Sequence, residues 1–128
     1  MSIDRSTIST ADAPEAIGPY SQAVRSGGLL FCSGQIPLDP ETGEISGTTA
    51  AEQATRCLQN LTAVCEAAGT TLANALRLTV YTTELEDFSA MNEAYGGFFD
   101  AEPPARVAVG VAALPKGALV EVEAVVAI

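Results

Sequence analysis

The longest regular pattern of apolar positions lies between residues 50 and 68. The residues that recur at intervals of four, three, four and three are Ala54, Leu58, Leu61, Cys65 and Ala68. This spacing places them along one face of an α-helix. Thr49 is followed three residues later by Glu52, the arrangement of a capping box, and Gly69 stands where a helix commonly ends. The pattern therefore predicts an amphipathic helix that begins after Thr49 and ends before Gly69.

A second, shorter apolar stripe follows Asp87 and predicts another helix. The residues of this stripe are Phe88, Met91, Tyr95 and Phe98. The Asp87 side chain is suited to capping the N-terminus of the helix. Gly96-Gly97 lies inside the segment, where each glycine costs about 1 kcal/mol relative to alanine. The pair therefore indicates either close packing or an early end of the helix.

Alternation of apolar and polar residues predicts strands around these helices. In "ALRLTVYTT", Leu76, Leu78 and Val80 point to one side of a strand and the residues between them to the other. The segment "SQAVRSGGLLFCSGQ" predicts two strands joined by a turn at Gly27-Gly28. Two further strands, Arg106–Ala113 and Leu119–Ile128, close the chain, and the polar residues 1–12 indicate a frayed or edge segment.

The order of these elements predicts a single α+β domain over residues 1–128, with a mixed sheet and both helices on one face. Apolar residues occur on both faces of the last strand. One face carries Val120, Val122, Ala124, Val126 and Ile128, and the other carries Leu119, Glu121, Glu123, Val125 and Ala127. An apolar face without helices needs another cover, so we expect a homo-oligomer that packs sheets together. Glu121 and Glu123 would then lie on or near a subunit interface.

The charge balance restricts the possible partners. The 128 residues include 16 acidic and 6 basic side chains, which give a net charge of −10. Nucleic-acid and anionic-membrane surfaces bind clustered basic residues, and here the basic residues are scattered. Neither partner is expected. The chain also has no histidine, so a Ser-His triad is excluded and the commonest metal ligand is absent. We therefore expect no metal, and any catalysis must use carboxylates, arginine, hydroxyl groups, backbone dipoles and water.

The cysteines and the N-terminal sequence indicate a cytoplasmic protein. Cys32, Cys57 and Cys65 are odd in number and have no metal-like spacing, which is typical of buried free thiols in a reducing compartment. The segment "MSIDRSTIST" has no apolar core of a secretory signal. No apolar run approaches the length of a membrane span.

Arg106 is the first candidate for chemistry, because it is the one charged residue in "PPARVAVGVAALP". It is either a structural arginine, at the rim or paired with a glutamate, or a clamp for a substrate carboxylate. A planar guanidinium can bind a carboxylate through two parallel hydrogen bonds. Pro103-Pro104 restricts the backbone that leads into its strand.

Other polar residues could complete such a site. Glu121 and Glu123 are either solvated or inter-subunit carboxylates, or one of them orients a water and transfers its proton. Asn92 is polar on an apolar helix face, so it is either bonded locally or directed at a site. Tyr20 and Ser33-Gly34 lie beside glycine-containing turns. They either form those turns or bring the backbone close to a ligand.

Several motifs together resemble the Rid family, the YjgF-like reactive enamine/imine deaminases. These motifs are "AIGPYSQAV", "FCSGQIPLDPETGEI", "FSAMNEAYGGFF", "PPAR" and "LPKGALVEVEAV", and the resemblance extends over nearly the whole chain, roughly residues 12–128. The resemblance implies a chorismate-mutase-like subunit in a homotrimer with clefts between subunits. It further implies hydrolysis of 2-enamino or 2-imino acids, such as 2-aminoacrylate or 2-iminobutanoate, to 2-oxo acids and ammonia, without a cofactor.

The resemblance also assigns roles to individual residues. Arg106 would bind the substrate carboxylate, and Glu121 would position or activate the water. The site would be lined by Tyr20, Ser33, the Gly34 backbone, Asn92 and the main chain of Ala108. Two features depart from the family pattern. Ala108 stands where deaminase-type members commonly have cysteine, and the segment between "GGFF" and "PPAR" is about three residues shorter.

Two alternatives to an imine deaminase follow from the same residues. One is a non-catalytic module that binds a small carboxylate metabolite in the cleft. The presence of Tyr20, Ser33, Arg106 and Glu121 together argues against it, whereas Ala108 and the short loop leave it open. The other is a ribonuclease that inhibits translation, an older description of the family. The net charge of −10 and the absence of histidine argue against a ribonuclease.

Overall fold

The computed structural model describes residues 3–128 of the chain. It contains six strands and two α-helices, together with three short 3-10 turns. In chain order the elements are β1 (Ser6–Ile8), β2 (Ala23–Ser26), β3 (Leu29–Gln35), α1 (Ala50–Ala67), β4 (Ala75–Thr82), α2 (Phe88–Gly96), β5 (Ala105–Gly110) and β6 (Val120–Ala127).

All six strands belong to one sheet in the order β1-β2-β3-β6-β4-β5. β4 and β5 are parallel because α2 carries the chain back between them, and every other neighbouring pair is antiparallel. The predicted α+β class and mixed sheet are therefore confirmed. β1 lies at one edge of the sheet, in agreement with the edge segment predicted within residues 1–12, and β5 lies at the other edge.

The predicted features at both ends of α1 are present in the structure. The Thr49 side chain accepts a hydrogen bond from the Glu52 backbone at 3.1 Å, and the Glu52 carboxylate accepts one from the Thr49 backbone at 3.2 Å. Gly69 has φ of +86°, a conformation that favours glycine after a helix. The turn between β2 and β3 also formed as predicted, with φ of +59° at Gly27.

Both helices cover the same face of the sheet. Residues of α1 (Leu58), α2 (Met91) and the sheet (Val80 and Val122) surround one small cavity. The β6 side chains on this face are at most 4% exposed. The intervening β6 side chains are half-buried on the other face, which confirms the predicted alternation. The three thiols are free and buried on the core side, also as predicted.

The opposite face of the sheet carries apolar side chains that no helix covers. Phe31 is 48% exposed, and it is paired with Val125 across β3 and β6. Val107 and Val109 on the edge strand β5 are 47% and 38% exposed. We call this surface, with Glu121 and Glu123 on β6, the open face.

Two predicted strand details are wrong, both because of pairing. β5 ends at Gly110 rather than Ala113, since its partner β4 ends at Thr82, the residue paired with Gly110. Leu76 does not share the buried side of Leu78. A register shift between β6 and β4 falls at this position and leaves Leu76 50% exposed.

The second helix differs from its prediction at both ends. Asp87 precedes α2, but its side chain makes no capping hydrogen bond. A 3-10 turn, Leu85–Asp87, leads directly into the helix, so Asp87 lacks the extended backbone of a typical cap. The helix ends early, at Gly96, and Phe98 packs against the core from beyond it. A Cβ at Gly96 would meet no atom within 4 Å, so close packing does not explain this glycine.

Candidate active site

Arg106 lies near the start of β5, on the helix-covered face of the sheet. Its strand partner is Leu78, which is fully buried under the helices. The Arg106 side chain is exposed and reaches α2, where Nη1 donates a hydrogen bond to Asn92 Oδ1 at 2.7 Å. Asn92 is a neutral acceptor, so this contact does not compensate the guanidinium charge. Among residues 3–128, the Arg106 side chain is bonded to this amide and is not paired with a glutamate, so that structural alternative is not observed.

Two aromatic rings of α2 also contact the guanidinium. Arg106 Cζ is 5.0 Å from the ring centroid of Phe88 and 4.9 Å from that of Tyr95. Both distances are within the range of a cation–π interaction. Ala108 follows two residues later on the same face, paired with Val80 and half-buried.

Four other residues predicted for the site line one pocket of about 410 Å³. They are Tyr20, Ser33, Gly34 and Glu121. The remaining walls are formed by Ile17, Gln35, Ile36, Leu38, Pro115 and Lys116. Tyr20 also borders a larger pocket of about 570 Å³ along residues 7–22, whose one charged side chain is Glu15. The predicted site residues do not gather in that larger pocket.

Gly34 is required by the position of the Glu121 side chain. A Cβ at Gly34 would lie 3.0 Å from Glu121 Cδ and 3.2 Å from Cγ, and it would collide with Oε2. The register of β3 shifts between Cys32 and Gln35, so the backbone turns at this point. Within this chain, the group that lies closest to Gly34 is the Glu121 carboxylate, and an approach of the Gly34 backbone to a ligand stays a prediction.

The polar groups around this carboxylate are held in place by the backbone. Ser33 Oγ donates a hydrogen bond to the Ser21 carbonyl at 2.6 Å. The Tyr20 hydroxyl accepts one from the Ile17 backbone at 3.2 Å, while the side chain stays 50% exposed. The Ser33 oxygen keeps its acceptor capacity, and the Tyr20 hydroxyl keeps its proton for a ligand.

Burial raises the pKa of Glu121 above its ordinary value, and the nearby negative charge of Glu123 raises it further. A carboxylate with a raised pKa accepts and returns a proton more readily near neutral pH. Glu121 is therefore the candidate for a general base. Among residues 3–128, no three acidic or cysteine side chains gather in a way that could hold a metal ion.

The predicted site residues form two clusters on opposite faces of the sheet. Arg106 and Ala108 of β5 lie on the helix-covered face with Asn92 of α2, whereas Glu121 alternates with the buried residues of β6 and points to the open face. The small cavity beside Arg106 and the pocket around Glu121 have no lining residue in common. One chain therefore does not bring Arg106 and Glu121 together.

Sequence reasoning missed three residues of these clusters. Phe88 and Tyr95 were assigned to the core stripe of α2. Their spacing from Asn92, four residues before and three after, was the available signal that all three residues share one helix face.

Lys116 is the third missed residue, and it lines the Glu121 pocket. Its φ of +58° makes it the one left-handed non-glycine residue among residues 3–128. Its neighbour Gly117 gave only a general indication of a turn.

A family model described as Endoribonuclease L-PSP matches residues 10–128. The RutC family protein y4sK of Sinorhizobium fredii is 54% identical over 121 residues, covering 94% of this chain and 96% of that protein. Human 2-iminobutanoate/2-iminopropanoate deaminase is 45% identical over 124 residues, covering 97% of this chain and 90% of the human protein.

A solved structure agrees with these relationships. The crystal structure of E. coli TdcF with bound serine superimposes with a TM-score of 0.91 at 44% identity, over 96% of this chain and 98% of that one. The similarity extends over both candidate clusters. The chain therefore belongs to the Endoribonuclease L-PSP family, which is the family of the Rid, YjgF-like proteins that its motifs resemble.

Proposed function

We propose that this protein is a cytoplasmic deaminase that hydrolyses reactive 2-imino and 2-enamino acids to 2-oxo acids and ammonia. The observation that carries the proposal is the Arg106 guanidinium, held on α2 by a neutral amide and two aromatic rings. A guanidinium without a carboxylate partner is suited to bind the carboxylate of a ligand in bidentate fashion. The common feature of these substrates is that carboxylate.

The complete site would form between subunits of a homotrimer. The uncovered apolar surface of the open face supports association, because patches of this kind commonly mark interfaces. The two clusters point away from each other within one chain. A neighbouring copy could place its Glu121 pocket against the Arg106 cluster of the first, so that each site takes one cluster from each subunit.

In this arrangement the protein acts mainly by positioning. Arg106 holds the carboxylate while Glu121 accepts a proton from a water whose oxygen forms a bond to the imine carbon. Glu121 then returns the proton to the nitrogen, which gives a carbinolamine. The same carboxylate next takes the hydroxyl proton and passes it to the nitrogen, so that the carbon–oxygen double bond forms as the carbon–nitrogen bond breaks and ammonia leaves the 2-oxo acid. An enamine substrate first tautomerises to the imine, taking a proton on carbon and losing one from nitrogen. The imine carbon is already electrophilic, so orientation of the water supplies much of the acceleration.

Two relatives support this assignment. The human relative is named as a deaminase of 2-iminobutanoate and 2-iminopropanoate, which are small 2-imino acids. The TdcF structure contains serine, a small molecule with a carboxylate beside a carbon–nitrogen bond. The same two features are present in the proposed substrates, and the Arg106 guanidinium is complementary in charge to the carboxylate.

The direct test generates imines in situ with an amino acid oxidase and follows their loss with and without the purified protein. We expect acceleration by the wild type and a loss of about 10²-fold or more in Arg106→Ala, since misplacing the substrate costs that much. Arg25→Ala, which removes an exposed arginine from β2, is the matched control. Imine loss at the buffer rate across small, branched and aromatic imino acids would contradict the proposal.

The second candidate is a non-catalytic module that binds small carboxylates, and Ala108 is the specific observation that favours it. Saturable binding of 2-oxo acids without any turnover of imines would establish this alternative. A ribonuclease is not supported by the charges, since phosphate binding needs clustered basic residues. If the purified protein cleaved RNA and a substitution in the site abolished the cleavage, the ribonuclease alternative would be supported after all.

A further inference from the structure

Three residues on one face of α2 contact the same guanidinium. Phe88, Asn92 and Tyr95 follow each other at intervals of four and three residues, so their side chains lie along one side of the helix. Each makes a separate contact with Arg106: a ring at 5.0 Å, a hydrogen bond of 2.7 Å and a ring at 4.9 Å. We call this set the arginine cradle.

The cradle is anchored in the core, whereas the guanidinium it holds is exposed. Tyr95 is 9% exposed, and its ring packs against the ring of Phe99 with centroids 4.9 Å apart. Phe88 is half-buried against the same core. Arginine loses considerable rotamer freedom when it binds a ligand. A rigid cradle removes part of that freedom before the ligand arrives.

We propose that Phe88 and Tyr95 are positioning residues that, together with Asn92, hold Arg106 in its carboxylate-binding orientation in the unliganded protein. The inference rests on the proposed function, because it assumes that Arg106 binds the substrate carboxylate. One N–H group of the guanidinium is used by Asn92, and the remaining groups stay available to form a bidentate pair.

The ring of Tyr95, rather than its hydroxyl, performs this role. The hydroxyl is buried and has no hydrogen-bond partner. A buried polar group without a partner destabilises the fold, so its removal should be neutral or stabilising. Tyr95→Phe retains a ring for the cation–π contact, whereas Tyr95→Leu removes it.

The first experiment measures binding of 2-oxobutanoate by calorimetry. Phe88→Leu and Tyr95→Leu should each raise the Kd about tenfold, a typical effect for a cation–π contact that is partly desolvated. Tyr95→Phe should bind within about twofold of the wild type by the same reasoning. Phe98→Leu is the matched control, since Phe98 is equally half-buried and is not in contact with Arg106. Equal weakening by Phe98→Leu, or by Tyr95→Phe, would overturn the proposal.

A double-mutant cycle separates positioning from a general structural role. Phe88→Leu should lower imine hydrolysis in the wild type but leave the residual rate of Arg106→Ala unchanged. A purely structural residue would lower both rates by the same factor, and that result would overturn the proposal.

The final experiment does not depend on catalysis. Nuclear magnetic resonance of the Arg106 Nε–Hε group should show a restricted side chain in the wild type and a mobile one in Phe88→Leu. Asn92→Ala provides a second variant, because Asn92 is exposed and its replacement leaves the core intact. Equal mobility of the Arg106 side chain in the wild type and both variants would overturn the proposal that the cradle holds it. Absence of imine hydrolysis with a restricted Arg106 would instead contradict the proposed function alone.

Discussion

The two faces of the sheet differ in how much of their apolar surface is covered within one chain. On the helix-covered face, apolar residues pack into a core and the capping groups of α1 find their partners within the chain. On the open face, apolar side chains remain exposed and a glutamate with a raised pKa lies in a pocket. One face is complete as a folding unit, and the other is the face on which we propose that a second copy of the chain packs.

This contrast separates α1, which carries none of the proposed site residues, from the open face and its Glu121 pocket. A local change in α1 should alter stability and spare the chemistry, because the Arg106 cluster is held by α2 and β5. A change on the open face should alter assembly or catalysis and leave the fold of each chain intact. Four substitutions test this division.

The largest effect is expected from Phe31→Asp on the open face. Phe31 is 48% exposed in one chain, so a charge there costs little in the monomer but opposes the packing of sheets. We expect the mass measured by light scattering to fall from three chains to one, with at least a 10²-fold loss of imine hydrolysis. Ile3→Asp, at an 83% exposed residue, is the control. A trimer with full activity would contradict the account.

Gly34→Ala should reduce activity nearly as much without dissociating the subunits. The added methyl group would displace the Glu121 carboxylate from its present position. A misplacement of about 1 Å can cost about 10²-fold in kcat/KM. Gly28→Ala is the matched control, since its nearest non-neighbouring atom would be 3.9 Å away. Similar kcat/KM values for the two variants would show that the Glu121 position is unimportant.

Thr49→Ala should lower the stability of the helix-covered face and spare the chemistry. It removes the side-chain acceptor of the capping box, which typically contributes about 1 kcal/mol to the free energy of unfolding. Denaturant unfolding measures that loss, and kcat/KM at a temperature below the transition should stay within about twofold of the wild type. A large loss of activity in the folded variant would mean that the two faces are coupled.

The smallest effect is expected from Glu123→Gln. The negative charge of Glu123 contributes to the raised pKa of Glu121, so its removal should lower that pKa. If Glu121 acts in its deprotonated form, activity rises with pH through its pKa. The acid limb of kcat/KM should therefore move to lower pH. Glu41→Gln in an exposed turn should not move the limb, and a shift to higher pH would contradict the assignment.

The parts of the fold that were predicted from sequence depend on local information. The capping box of α1 and the alternation along β6 are each contained within fewer than about twenty residues. The errors arose where distant partners decide the outcome. β5 ends because β4 ends, and Leu76 is exposed because of a register shift with β6.

The same limit applies to the candidate site. The family motifs identified Arg106, Glu121, Tyr20, Ser33 and Gly34, but their spacing could not reveal that Arg106 and Glu121 face opposite ways. That result follows from sheet order and register, which bring together strands far apart in sequence. The contacts of Phe88 and Tyr95 with Arg106 likewise depend on how α2 packs beside β5.

The most direct test of the account combines two inactive variants in one assembly. Arg106→Ala and Glu121→Gln chains with different affinity tags are co-expressed, and trimers that contain both are purified through both tags. In a ring of three, either mixed composition leaves one site with an intact Arg106 and an intact Glu121 from neighbouring chains. We predict about one third of wild-type activity for mixed trimers. Mixed trimers no more active than either variant alone would contradict a site shared between subunits.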